Sequence, residues 1–86
     1  MAYILTNHAL EQIEKRNIPI ELIDSVFDEP EQILFENGVS VFQSIVKVGD
    51  KHYLVRLFVN TDVKPNKIIT VYLTNKINKY WSEQWK

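Results

Sequence analysis

Four residues in this chain have the chemistry to handle a phosphate group. Arg56 sits inside "KHYLVRLFV", and Thr70 and Tyr72 alternate along "KIITVYLTN". A planar guanidinium fork flanked by hydroxyl donors matches the oxygens of a phosphate. The competing assignment pairs Arg56 with a carboxylate and leaves Thr70 and Tyr72 as ordinary strand formers. The fourth residue, His8, lies near the start of "LTNHALEQIEKRNIP". The partial positive charge of a helix N-terminus disfavours a cationic imidazole. His8 is therefore either an incidental surface residue or a neutral imidazole placed to take a proton. Lys15 and Arg16, at the far end of the same stretch, complement the negative end of the helix dipole.

These groups need elements to position them. Thr6 is an expected N-cap, and Ala9, Leu10 and Ile13 follow at helical spacing. Asn17 tolerates the left-handed conformation that closes helices, and Pro19 cannot continue this one, so a first helix is expected over about residues 7–16. Leu22, Ile23, Val26 and Phe27 form the apolar face of a second helix that stops near Asp28, ahead of Pro30. The period then changes to two. "QILFE", "VSVFQSIVKV", "KHYLVRLFV" and "KIITVYLTN" read as strands, the first pair joined by Asn37-Gly38 and the second by Gly49-Asp50. Alternation puts Val55, Leu57 and Val59, with Ile69, Val71 and Leu73, on faces toward the helices. Arg56, Thr70 and Tyr72, with Ile68, fall on the opposite side. The expected fold class is α+β, an N-terminal αα-hairpin packed on a four-stranded antiparallel sheet. Residues 1–86 form a single domain whose residues 75–86 are an aromatic and charged tail, in which Tyr80, Trp81 and Trp85 either pack or stack on bases.

Composition narrows the classes of function. The chain has 86 residues, of which 45% are hydrophobic, enough for one core. It has no cysteine and two histidines, His8 and His52, so no metal site is expected. Two glycines leave no phosphate-cradling loop, and no cofactor motif is present. Apolar runs are short and broken by charge, so neither a membrane span nor a leader is expected, and the cytoplasm is the expected location. Net charge is −1, but residues 1–36 carry −6 and residues 37–86 carry +5. Such a split places an acidic and a basic patch on one small body, or is simply solvated surface.

The order of these motifs resembles a small prokaryotic domain family of unknown function related to the RelE/ParE-like toxin superfamily. "LTNHALEQIEKRNIP" is similar to its opening T-x-H-A-x-x-R-M-x-x-R-G-I, and "VRLFV" to its arginine-bearing strand. "ITVYLTNK" is similar to its closing I-T-x-Y-x-T-x-K, and Pro30 to a proline that closes its second helix. The resemblance covers about residues 3–80. Gln12 stands where the pattern has arginine, and Asn17 where it has glycine.

The resemblance implies a RelE-like fold and a metal-independent endoribonuclease, the toxin of a toxin–antitoxin pair. RNA supplies its own nucleophile, because the 2′-OH attacks the adjacent phosphate. His8, Arg56 and Tyr72 are the implied catalytic residues; Arg16, Thr70 and Lys76 are the implied substrate-binding ones. RNA and a cognate antitoxin protein are the implied partners. The alternative is a non-catalytic protein-interaction module, which Gln12 and the sequence pI of about 6.1 favour.

Overall fold

A computed structural model describes residues 3–82. It contains a five-stranded mixed sheet with the two longer helices on one face: β1 (Tyr3–Leu5), α1 (Asn7–Lys15), α2 (Ile20–Asp28), β2 (Gln32–Glu36), β3 (Val39–Val48), β4 (Lys51–Asn60), β5 (Asn66–Thr74) and α3 (Ile77–Tyr80). The strand order is β1-β5-β4-β3-β2. Strands β2 to β5 form an antiparallel meander, and β1 joins its far edge parallel to β5.

This architecture corrects the expected one. The sheet is neither four-stranded nor wholly antiparallel, and a strand precedes the helices. Nor do α1 and α2 act as a hairpin whose main contact is with each other. α1 packs on β5 and β1, while α2 packs on β3 and β4. The pairing of β1 with β5 joins the two ends of the sheet-forming sequence. It satisfies part of an edge that would otherwise expose unpaired N–H and C=O groups.

Local chemistry accounts for the elements. Thr6 Oγ1 accepts from the Ala9 N–H at 3.1 Å and caps α1. Asn17, at φ +52°, ends the α1 region. Asn37 and Gly38 both have positive φ, +51° and +81°, which a two-residue turn matched to strand twist requires. That turn sets Glu36 opposite Val39, and hence Gln32 opposite Gln43.

The core lies between the helices and the sheet. Ala9, Ile18, Ile23, Val26 and Phe27 meet Val55, Leu57, Val59, Ile68 and Val71, all buried. Tyr3 and Phe27 rings pack with centroids 5.0 Å apart. Ile68 belongs to this core, not to the face expected for it. The β4–β5 register shifts between Phe58 and Val59: Val59 pairs with Ile68, but Phe58 pairs with Thr70. Ile69 is thus the extra residue of a β-bulge, which reverses the alternation for the residues before it.

The second face of the sheet is also covered. Val41, Gln43, Leu54 and Arg56 are buried there by alternation from the core positions. Part of the cover comes from the C-terminal segment, through Tyr80 and Ser82. Among the described residues, no helix is long and apolar enough to cross a membrane.

Candidate functional site

Where β1 ends at Leu5, opposite Ile68, α1 takes its place along the edge of β5. The Thr6 N–H donates to the Ile68 carbonyl at 3.1 Å, and the Thr6 hydroxyl donates to the Ile69 carbonyl at 2.7 Å. At the other end of the helix, Arg16 Nη1 donates to the Leu73 carbonyl at 3.3 Å. The helix therefore lies tied at both ends along the strand that carries Thr70 and Tyr72. Ala9 and Ile13 turn toward the core. His8 and Gln12, one turn apart, border the opposite face.

The result is an open cleft of about 450 Å³ lined by His8, Gln12, Arg56, Phe58, Thr70, Val71, Tyr72 and Tyr80. His8 is exposed; Gln12, Thr70, Tyr72 and Tyr80 are half-buried. Arg56 forms the floor and is only 4% exposed.

Arg56 is held on several sides. Its Nη2 donates to Glu36 Oε2 at 2.7 Å, and its Nε donates to Gln43 Oε1 at 2.8 Å. Its guanidinium carbon lies 4.7 Å from the Tyr80 ring centroid and 5.3 Å from that of Phe58. Gln43 Nε2 donates to Gln32 Oε1 at 2.6 Å and to the Tyr80 carbonyl at 3.3 Å. Gln32 closes the network, donating to the Ser82 carbonyl at 2.9 Å and accepting from the Ser82 N–H at 3.2 Å. One row across four strands, Gln32, Gln43, Arg56 and Tyr72, thus carries the site and anchors the segment over it. Among the described residues no buried side-chain polar atom lacks a partner.

Tyr80 is chemically distinctive. Its ring meets that of Tyr72 edge-on at 5.6 Å. The neighbouring Tyr72 hydroxyl is the largest cause pulling its phenol below the ordinary 10.0. Burial partly opposes this, and the Lys79 and Arg56 charges add to it. The site therefore offers an imidazole, a phenol of lowered pKa, hydroxyl donors and one guanidinium.

Of the six residues singled out in the sequence, His8, Arg56, Thr70 and Tyr72 line this cleft. Arg16 does not; it borders a separate 230 Å³ pocket with Tyr53, Leu22 and Leu73. Lys76 does not line it either; it is exposed and directly precedes α3. The carboxylate partner weighed for Arg56 is present, as Glu36. Sequence reasoning did not place Gln32, Gln43 and Glu36 around Arg56. The hairpin register set by Asn37-Gly38 was the signal for the two glutamines.

Residues 5–73 match the family described as a domain of unknown function, DUF4258. The chain belongs to that family. No curated protein matches it, and no solved structure matches it. The DUF4258 span contains His8, Gln12, Arg56, Thr70 and Tyr72, together with the Glu36, Gln43 and Gln32 network. It ends before Tyr80, so of the two rings over Arg56 Phe58 lies within the matched DUF4258 residues and Tyr80 beyond them.

Proposed function

We propose that this chain is a metal-independent endoribonuclease related to the RelE/ParE-like superfamily, acting as the toxin of a toxin–antitoxin pair. One observation carries the reading: His8, from the first helix, shares a cleft with Arg56, Thr70 and Tyr72, from two strands far along the chain. Such a cleft has the parts that RNA cleavage needs. His8 takes the proton of a 2′-OH, whose oxygen attacks the adjacent phosphorus. The bond from phosphorus to the 5′-oxygen breaks, and the Tyr80 phenol supplies the proton that the leaving oxygen takes up. Arg56 faces the charge that builds on the phosphate, and Thr70 and Tyr72 orient it. The products are a 2′,3′-cyclic phosphate and a 5′-hydroxyl. An antitoxin protein covers the same open cleft.

The test uses purified chain and single-stranded RNA in EDTA. Wild type is expected to cleave, and His8→Ala and Tyr80→Phe to lower the rate by about 10²-fold or more. Induced expression should arrest growth, and His8→Ala should relieve it. A wild-type protein that cuts no RNA and leaves growth unchanged overturns the reading.

A second reading, a non-catalytic protein-interaction module, has its own support. Arg56 is nearly buried and already shares its charge with Glu36, which leaves less of it for a phosphate. This reading expects a stable protein partner and no nuclease activity once that partner is removed.

A further inference from the structure

We infer that Gln12 is a specificity-determining residue that reads an adenine base in the cleft; this rests on the RNA reading above. Gln12 stands one turn beyond His8 on the flank of α1 that borders the site. It is half-buried, and its carboxamide makes no hydrogen bond to any described residue. The other carboxamides of this sheet face behave differently: Gln32 and Gln43 are buried and fully engaged. Gln12 therefore presents a donor and an acceptor, side by side, to whatever enters.

The neighbouring walls suit a base. Tyr72, Tyr80 and Phe58 give the cleft aromatic rings, on which unpaired bases stack. A glutamine carboxamide pairs in bidentate fashion with adenine, accepting from N6 and donating to N7. A purine also covers more ring surface than a pyrimidine. The position next to His8 and Arg56 makes the recognised base one that adjoins the scissile phosphate.

The experiment has a cleavage arm and a binding arm. A random single-stranded RNA pool is cleaved in EDTA by wild type, Gln12→Ala and Gln12→Glu, and the ends are sequenced. Fluorescence anisotropy then measures the binding of short oligonucleotides that differ only in one adenine or uracil. Wild type is expected to enrich adenine about tenfold at one fixed position beside the cut and to bind the adenine oligonucleotide about tenfold tighter. Gln12→Ala should slow cutting at adenine sites to the rate at other sites, removing both preferences. Gln12→Glu, which loses the donor, should also lose the adenine preference. Adenine enrichment that survives Gln12→Ala, or its absence from wild type, overturns the inference while RNA cleavage stands. Wild type that neither cuts nor binds any of these RNAs overturns both readings.

Discussion

The Arg56 guanidinium and the Glu36 carboxylate meet at 2.7 Å, joining β4 to the end of β2 across the intervening β3. The two ends of this pair are unequal: the Arg56 side chain is 4% exposed and that of Glu36 is 40% exposed. Removing Arg56 strips Gln43 Oε1 of its donor, and removing the Glu36 charge leaves a buried guanidinium without a counter-charge. Arg56→Ala is expected to destabilise the fold by about 3 kcal/mol. Glu36→Gln keeps an acceptor but leaves that buried cation uncompensated, and should cost about 2–3 kcal/mol. Urea denaturation of the two variants checks both costs, and a Glu36→Gln cost below about 0.5 kcal/mol would contradict them. Arg56→Lys should fall nearer to the alanine variant, because an ammonium cannot make both fork contacts.

Thr6 has three bonds to the structure around it: it caps Ala9, and its N–H and hydroxyl hold the Ile68 and Ile69 carbonyls. Losing a cap alone costs about 1 kcal/mol. Thr6→Ala is expected to cost about 2 kcal/mol, because the link to the bulge goes with it. Thr6→Ser should recover most of that. The same bonds fix the start of α1, so Thr6→Ala should also shift the His8 ring resonances in an NMR spectrum, while Thr6→Ser leaves them in place.

Some of this was legible in the chain and some was not, for physical reasons. Thr6 as a cap and Asn17 as a left-handed closure are local signals, decided within a few residues. The four meander strands announce themselves by period-two alternation and tight turns. Tyr3–Leu5 is too short to show any period, and its parallel partner, Asn66–Ile68, lies at the far end of the chain. That omission produced the wrong sheet and the wrong helical packing. The bulge at Ile69 was equally hidden, since "IIT" alternates acceptably in either register. Gln32 and Gln43 carry no local signal of burial; it is the turn register that sets them opposite each other beneath Tyr80 and Ser82. The cleft-lining His8, Arg56, Thr70 and Tyr72 were recognisable by type; the course of α1 takes Arg16 out of the cleft, and Lys76, past the end of β5, does not line it either.

Gln32 holds the N–H and the C=O of Ser82 with one carboxamide, as a neighbouring strand would. Gln32→Ala removes both bonds and leaves Gln43 Nε2 with the Tyr80 carbonyl alone. The expected cost is about 2 kcal/mol. The local effect separates this from general weakening. Hydrogen exchange at the Ser82 amide should accelerate well beyond that of core amides such as those of Val55 and Val59. As the segment loosens, the Tyr80 phenol should rise toward the ordinary 10.0, because it leaves Tyr72 and Arg56. An unchanged Tyr80 titration in a stably folded Gln32→Ala variant would refute the coupling.

Tyr3 donates its hydroxyl proton to Asp24, tying β1 to α2 beneath the core. Burial, then this bond, then the Asp24 and Asp28 charges hold its pKa well above the ordinary 10.0. The folded state therefore keeps a proton that the unfolded chain releases near the ordinary 10.0. The stabilisation is present in full below that pH and is lost as pH rises above it. Tyr3→Phe should cost about 1–2 kcal/mol at neutral pH, since Asp24 loses its donor. Between neutral pH and about pH 11 the wild-type advantage should shrink, because only wild type loses this term. Urea midpoints of both proteins across that range check it. A gap that stays constant with pH would show that Tyr3 ionises alike in the folded and unfolded chains.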